Sequence, residues 1–300
     1  MDGELEHEAV FDRIPGWAGR PRSAHPLSGG ITNRNYRVAL GAEIFVVRIP
    51  AKGAGWHGID RRNEYEASLL AASCGVGPEV VTFLEREGVL VTRFIHGRPV
   101  SDADVHLPGT LGRVAKALLA IHHAGVLADA FSPFRVVERY ATVAREHRVA
   151  IPEEFEQAAA IAKTIEQALP ISAPLLCHND LLNANFIDDG DRIRIVDWEY
   201  AGMGDPYFDL GNFAVNHGLA EEEQNFLLEA YAGEALEPQR ARLQLMRVMS
   251  DFREAMWAVV QQVASELDFD FRGYSRRHFE RLLAAAGDSR FRTWLEAAAA

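Results

Sequence analysis

The sequence predicts an α+β fold with two lobes, a small antiparallel β-sheet lobe followed by a larger and mainly helical lobe. Residues 20–94 contain β-branched runs separated by glycine-rich turns, which is typical of a small sheet. Gly97 and Pro99 then interrupt the chain, and helical apolar spacing dominates after them. A chain of 300 residues is long enough for both lobes. We expect residues 1–95 to form the N-terminal lobe and residues 96–300 to form the C-terminal lobe.

The N-terminal lobe is predicted to contain five strands and one helix. The strands are expected at Ala24–Leu27, Asn35–Leu40, Ile44–Ile49, Val80–Leu84 and Val89–Phe94. The helix is expected to begin within Ile59–Glu64 and to end near Cys74, because apolar residues follow at helical spacing. Gly75 and Pro78 then end it.

Three features of this lobe allow both a structural and a functional interpretation. The loop after the first strand is either a hairpin turn or a close backbone approach to a phosphate, since it contains Ser28, Gly29, Gly30 and Thr32. Arg48 interrupts a β-branched strand, either at the surface or in a cleft where it holds phosphates. Glu64 lies in the first turn of the helix, where the dipole favours an acid, and it is also a candidate partner of Arg48.

The C-terminal lobe is predicted to be built from helices. They are expected at Gly109–His123, Pro133–His147, Pro152–Leu169, Asp209–His217, Glu221–Tyr231, Gln239–Leu267, Tyr274–Ala286 and Ser289–Ala298.

Within this lobe the stretch Leu175–Asp209 carries a strand-loop-strand pattern with acidic residues. Phe186–Ile187 and Ile193–Val196 are expected to pair as a hairpin, which would bring the loop containing Asp180 and Asn185 next to Asp197. Phosphoryl transfer needs oxygen ligands for Mg²⁺ and a carboxylate beside the attacking hydroxyl, and these three side chains provide both. The alternative is a surface loop in which Asn and Asp only form turns.

Composition restricts the class of protein. No apolar run reaches the roughly eighteen residues of a membrane span, and the acidic N-terminus lacks the features of a signal peptide. Cys74 and Cys177 are the two cysteines, and nothing indicates an oxidising compartment. A net charge of −12 argues against a nucleic-acid partner. We therefore expect a cytoplasmic protein with no membrane or nucleic-acid partner.

The acidic stretch resembles the signature of the protein-kinase-like fold, in the variant used by small-molecule kinases. His178–Asn185 matches the H-x-D-x-x-x-x-N loop of that superfamily, and Asp197-Trp198-Glu199 matches its D-x-E metal strand. The resemblance implies that Asp180 is the catalytic base and that Asn185 and Asp197 bind Mg²⁺. His178 is expected to brace the loop.

Within that superfamily the chain is most similar to the choline/ethanolamine kinases, including the bacterial ones. Leu27–Tyr36 resembles their phosphate loop, Arg48 stands where they use an arginine, and Ile59–Glu64 resembles their I-D-R-x-x-E helix. Trp257–Gln261 and Asp268–Tyr274 resemble the C-terminal choline-site segment that generic aminoglycoside kinases lack. The resemblance implies ATP as phosphate donor, held by Ser28–Thr32, Arg48 and Glu64. Its adenine is expected near Val91–Ile95.

The same resemblance implies a cationic acceptor site. A quaternary ammonium is recognised by aromatic faces and nearby carboxylates, and the candidates are Glu199, Tyr200, Glu254, Trp257, Phe269 and Tyr274. Trp257 and Phe269 also fit as core aromatics at helical spacing. Glu254 stands where eukaryotic-type members carry a second tryptophan, so ethanolamine or another primary amine suits this site at least as well as choline. Asp209 is expected to cap a helix or to brace the loop, with substrate contact by Asp205 as the alternative.

The sequence therefore predicts an ATP- and Mg²⁺-dependent kinase that phosphorylates the hydroxyl of choline, ethanolamine or a similar small cationic amino alcohol. Two other functions stay open. One is a related phosphotransferase for an aminoglycoside or polyol. The other is a kinase-like scaffold that binds nucleotide without turnover. A homodimer is also compatible with the sequence.

Overall fold

The computed structural model describes residues 2–27, 33–50, 58–265 and 267–299. The strands in these ranges are β1 (Ser23–Leu27), β2 (Asn33–Leu40), β3 (Glu43–Pro50), β4 (Val80–Leu84), β5 (Val89–Arg93), β6 (Arg98–Pro99), β7 (Leu175–Cys177), β8 (Phe186–Asp188), β9 (Ile193–Ile195) and β10 (Gly202–Gly204). The helices are α1 (Asp2–Phe11), α2 (Arg61–Ser73), α3 (Asp102–Val105), α4 (Pro108–His122), α5 (Pro133–Glu146), α6 (Phe155–Ala168), α7 (Pro206–Asn216), α8 (Glu221–Ala232), α9 (Glu237–Ala264), α10 (Phe271–Ala286) and α11 (Phe291–Ala298).

The N-terminal part is a five-stranded antiparallel sheet with the strand order β1-β2-β3-β5-β4. All five predicted strands are present. The sheet core, which includes Val38, Phe45 and Val91, also buries Phe11 and Trp17 from the N-terminal segment. The sequence did not predict α1, so the described residues of this part form two helices rather than the one expected.

Helix α2 begins where the sequence predicts, because Asp60 caps it. The Asp60 carboxylate accepts hydrogen bonds from the backbone nitrogens of Arg62 and Asn63, at 2.7 and 3.0 Å. The buried face of the helix carries Glu64 together with Ala67. The cap fixes the start of α2, and the buried face of the helix places an acid beside the sheet.

The C-terminal part is built around α9, a helix of 28 residues. Its apolar side chains form one core with those of α5, α6, α10 and α11. No helix within the described ranges is long and apolar enough to cross a membrane.

Most predicted helices are present, but several details differ from the prediction, among them the end of α9 at Ala264 rather than Leu267 and the start of α10 at Phe271 rather than Tyr274. Helix α6 begins at Phe155 rather than at Pro152. Helix α7 begins at Pro206 with Asp205 as its N-cap, so Asp209 lies in the first turn and does not cap the helix. The four-residue α3 was not predicted, because a helix this short leaves little periodic signal. The boundary between residues 95 and 96 stays a prediction.

The predicted hairpin in the acidic stretch is confirmed, since β8 and β9 pair antiparallel. After β9, the backbone nitrogen of Val196 donates to the carbonyl of Asn185 over 3.0 Å. This bond brings the loop that ends at Asn185 beside the residue that precedes Asp197, as the sequence predicts.

Candidate active site

The loop His178–Asn185 is held by one buried carboxylate. Asp209 accepts hydrogen bonds from the backbone nitrogens of His178 and Asn179, at 2.8 and 2.7 Å. His122 Nε2 lies 3.0 Å from the same carboxylate, and the side chains of His122 and Asp209 are both fully buried. Bonds from N–H donors to an ionised acceptor are among the stronger hydrogen bonds in proteins. The predicted bracing by Asp209 is therefore present, although the predicted capping by it is wrong.

Two further side chains fix the same loop. Asn212 accepts from the backbone nitrogen of Leu181 over 2.6 Å, and its amide nitrogen donates to Ser250 Oγ on α9 over 2.9 Å. His178 Nε2 lies 3.0 Å from the carbonyl of Val196. Burial lowers the pKa of His178, which keeps its imidazole neutral. His178 thus joins the loop to the segment that follows β9, in agreement with the predicted bracing.

The backbone is strained at two positions of the site. Asn179 and Asp197 adopt φ values of 68° and 71°, in the left-handed region. Asn and Asp tolerate this region better than most residues, and such strain concentrates at functional sites. The Asn179 side chain stabilises its own conformation by donating to the carbonyl of Tyr200 over 3.0 Å.

A cavity of about 370 Å³ lies between the sheet and this loop. Apolar side chains such as Val46, Leu90 and Ile187 line part of it, and Arg48 and Asp197 line another part. Phe94 and Ile95, from the segment where adenine is expected, also border the cavity. Its shape and lining suit a flat heterocycle next to a charged group.

The predicted ion pair between Arg48 and Glu64 is present, with Nη1 of Arg48 lying 2.6 Å from Oε1 of Glu64. The same nitrogen lies 2.7 Å from Oδ1 of Asp197. Burial lowers the pKa of Arg48, but the charges of Asp197 and Glu64 outweigh burial and raise it above its ordinary value. Arg48 is therefore a fixed cation that links the sheet to Asp197.

Asn185 and Asp197 fit a divalent cation. Both line the cavity and both offer hard oxygen atoms, the ligands that Mg²⁺ prefers. The amide nitrogen of Asn185 donates to the carbonyl of Asp180 over 2.8 Å, so the amide oxygen is the atom left for a metal. The side chain of Asp197 keeps 21% of its exposure despite its bond to Arg48.

Glu199 contacts the sheet side of the site. Its buried carboxylate accepts a hydrogen bond from Asn33 over 2.8 Å and pairs with Arg61 over 3.2 Å. Arg61 also pairs with Glu64 over 2.6 Å. These contacts place the carboxylate of Glu199 in the ion-pair network around Arg48, whereas Tyr200 faces the helices.

The carboxylate of Asp180 contacts α9. Its Oδ1 accepts from Nη1 of Arg253 over 3.0 Å, and its side chain is 14% exposed. Burial raises the pKa of Asp180 to about 7, because the effect of Arg253, which lowers it, is outweighed by burial and by the negative charges of Glu254 and Asp197. A carboxylate with this pKa is suited to accept a proton near neutral pH.

Four of the six acceptor-site candidates form an aromatic cluster with Glu254. Trp257 Nε1 donates to the hydroxyl of Tyr200 over 3.2 Å, and the rings of Trp257 and Tyr274 lie 6.0 Å apart. The ring of Phe269, which is 48% exposed, lies 5.9 Å from that of Tyr274. The hydroxyl of Tyr274 donates to Oε2 of Glu254 over 2.9 Å. The cluster thus combines aromatic faces with a buried carboxylate.

The structure includes site residues that sequence reasoning missed. The sequence prediction gives no role to Arg253 or Asn212, although each contacts the loop His178–Asn185, through Asp180 or through the backbone of Leu181. Arg61 was noted only as part of a motif. Their sequence contexts are ordinary helical positions, so no local signal separates them from surface residues. The predicted phosphate loop, Ser28–Thr32, lies outside the described residues.

Comparison with known proteins identifies the family. The model of the phosphotransferase enzyme family matches residues 23–246, about three quarters of the chain. The chain belongs to the phosphotransferase enzyme family. The match includes the sheet, the cavity and the loop that contains Asp180. It confirms the predicted class of enzyme, a phosphotransferase that acts on an alcohol group.

Individual relatives agree with this assignment. The chain is similar to the crystal structure of a choline/ethanolamine kinase family protein from Mesorhizobium loti, with 32% identity, a TM-score of 0.84 and 99% of each chain covered. Ethanolamine kinase 2 from Rattus norvegicus is 27% identical, over 74% of this chain and 65% of that protein. Protein LicA from Haemophilus influenzae is 24% identical, over 84% of this chain and 76% of that protein. The predicted resemblance and the predicted protein-kinase-like fold are confirmed.

Proposed function

We propose that this phosphotransferase moves the γ-phosphoryl group of ATP to the hydroxyl of a small cationic amino alcohol such as ethanolamine or choline. The observation that carries the proposal is the position of Asp180 between two sites. On one side its carbonyl accepts from Asn185, which lines the cavity. On the other side its carboxylate meets Arg253, whose guanidinium lies 4.5 Å from the ring of Tyr200 in the aromatic cluster. The names of the M. loti and rat relatives support the same reaction.

The donor side of the proposal concerns ATP and Mg²⁺. The cavity would hold the nucleotide, with adenine against the segment near Phe94 and the phosphates toward Arg48. Asn185 and Asp197 would hold Mg²⁺, which when bound neutralises charge on the phosphates. Glu64 keeps Arg48 in place for this contact. A covering role of Ser28, Gly29, Gly30 and Thr32 stays a prediction.

The acceptor side depends on the aromatic cluster. A cation gains attraction from the faces of Trp257, Phe269 and Tyr274. Asp180 accepts the proton of the acceptor hydroxyl as the phosphoryl group transfers. Most of the acceleration is expected from positioning and from charge neutralisation.

We assign the reaction to the cytoplasm, where ATP is available, and the predicted homodimer stays a prediction that light scattering would test.

The experiment is a coupled assay of ATP turnover with Mg²⁺, using ethanolamine, choline and a panel of aminoglycosides as acceptors. We expect turnover that requires both Mg²⁺ and an amino alcohol. Asp180→Ala should abolish turnover and leave ATP binding intact. Stimulation by an aminoglycoside alone would favour the related phosphotransferase. ATP binding without turnover on any acceptor would favour the non-catalytic scaffold.

A further inference from the structure

A buried arginine on α9 contacts the proposed catalytic base. The side chain of Arg253 is 1% exposed, and its Nη1 atom bonds both Oδ1 of Asp180, at 3.0 Å, and Oε1 of Glu254. Arginine is seldom fully buried unless it is paired. Arg253 is paired with two carboxylates, one of which belongs to the catalytic loop.

Stability alone does not explain this arginine. Its Nε and Nη2 atoms have no hydrogen-bond partner within the described part of the chain, and both are buried. Each unpaired buried donor costs about 1–3 kcal/mol, and a buried ion pair is often less stabilising than apolar residues of the same size. Apolar residues in place of both Arg253 and Glu254 would therefore serve the core at least as well. The geometry around Nη1 provides another reason for a guanidinium.

The contacts of Arg253 form a chain of hydrogen bonds from the acceptor side to the base. The hydroxyl of Tyr274 donates to Oε2 of Glu254 over 2.9 Å, the other oxygen of Glu254 accepts from Arg253, and Arg253 donates to Asp180. Burial and the charge of Glu254 both raise the pKa of Tyr274, so its hydroxyl stays protonated as a donor. Both oxygens of Glu254 are thus engaged inside the protein.

Only one oxygen of Asp180 is engaged by Arg253. Within the described residues, Oδ2 of Asp180 accepts no hydrogen bond, while Oδ1 is held by the guanidinium. Fixing one oxygen restricts rotation of the carboxylate and leaves the other oxygen to meet a hydroxyl. The positive charge of Arg253 also offsets the repulsion between Asp180 and Glu254.

We propose that Arg253 is a positioning residue that orients the carboxylate of Asp180 toward the acceptor hydroxyl, and that Glu254 acts through Arg253 rather than by binding the acceptor amine. This inference rests on the proposed function and deepens it. It changes the role predicted for Glu254 from an acceptor ligand to the support of an arginine.

The test compares Arg253→Met and Arg253→Lys with the wild type, using the acceptor that the wild-type enzyme turns over. A base misplaced by about 1 Å lowers turnover about 100-fold, so we expect kcat of Arg253→Met to fall about 100-fold. The KM for ATP should change by less than about twofold, because Arg253 does not line the nucleotide cavity. Arg253→Lys should recover part of kcat, because it restores a cation beside Asp180.

Two further variants separate positioning from a general structural role. Arg281→Gln breaks an ion pair with Asp251, which lies on α9 as Arg253 does. This ion pair does not contact Asp180. It should leave kcat unchanged. Glu254→Gln should lower kcat in the wild-type background and have little further effect in Arg253→Met, because both residues act through one chain. This double-mutant comparison remains informative with Arg253→Lys if the methionine variant does not fold.

The outcomes distinguish the two proposals. A wild type that phosphorylates no amino alcohol overturns the proposed function and this inference together. A wild type that does so, with undiminished kcat in Arg253→Met, overturns only the role of Arg253. Additive effects of Glu254→Gln and the Arg253 variant would likewise overturn the shared chain.

Discussion

Replacing Asp209 by asparagine should damage both stability and turnover, because this carboxylate holds the catalytic loop. Its oxygens accept from the backbone of His178 and Asn179 and lie close to His122 Nε2. Asparagine offers one oxygen where aspartate offers two, and its NH₂ group would face a backbone N–H. The variant keeps the size of the side chain, so the effect reports hydrogen bonding and charge rather than a cavity.

The magnitude follows from the three bonds. A hydrogen bond to a charged group contributes about 1.5–3 kcal/mol. Asparagine keeps one of the two backbone hydrogen bonds, now to a neutral oxygen. The charge is lost from the other backbone bond and from the contact with His122. We therefore expect Asp209→Asn to lower the free energy of unfolding by about 3–5 kcal/mol, a large share of the roughly 5–15 kcal/mol typical of folded proteins.

The assay is urea unfolding combined with measurement of kcat on folded protein. Asp205→Asn is the matched control, since Asp205 lies four residues earlier and caps the same helix. Asparagine is also a good N-cap, and its amide oxygen still accepts from Arg242, so the loss is the charge of one largely buried ion pair, about 1.5–3 kcal/mol. If Asp209→Asn destabilised no more than Asp205→Asn and left kcat unchanged, the bracing argument would be refuted.

Three further predictions concern the donor side, the base and the backbone. Arg48→Met leaves the carboxylates of Glu64 and Asp197 without their cation, so the free energy of unfolding, measured in urea, should fall by about 3 kcal/mol. The KM for ATP, measured by ATP titration, should rise at least tenfold. An unchanged KM would contradict the contact of Arg48 with the phosphates. Asp180 must be ionised to accept a proton, and its pKa is raised to about 7. In a profile from pH 4 to 9, kcat/KM for the acceptor should therefore fall as the pH drops below about 7. A fall in kcat/KM that begins only near pH 4 would contradict this. Asn179→Ala should lower the free energy of unfolding by about 2–3 kcal/mol, through strain at its φ of 68° and through the lost hydrogen bonds of the amide. Asn179→Gly should lose only the hydrogen bonds, because glycine adopts this φ without strain. Equal losses of the two variants in urea unfolding would contradict the strain argument.

Local patterns were sufficient to predict much of the fold and the donor side of the site. The five strands follow from β-branched runs with glycine turns, and the hairpin of β8 and β9 follows from the turn around Gly190. The pair of Arg48 and Glu64 could be proposed because each residue is unusual in its own context. In these cases the determining interactions lie within one strand, one turn or one helix end.

Other features depend on contacts between distant parts of the chain. Arg253 is an ordinary residue of a long helix, and its partner Asp180 lies 73 positions earlier in the sequence. Helix α1 has little amphipathic pattern of its own, and Phe11 is buried only because the sheet covers it. Glu254 looked like a free acceptor ligand because nothing near it in the sequence shows that Arg253 and Tyr274 engage both of its oxygens. Such contacts exist only after the helices have packed.

The most direct test of the proposed reaction follows the products themselves. The protein is incubated with Mg²⁺, ATP and ethanolamine or choline, and ³¹P NMR monitors the phosphate signals of the wild type and of Asp180→Asn. We predict a new phosphomonoester signal that grows as ATP becomes ADP in the wild type, and no such signal in the variant. Formation of inorganic phosphate alone, or equal phosphomonoester formation by Asp180→Asn, would contradict the account.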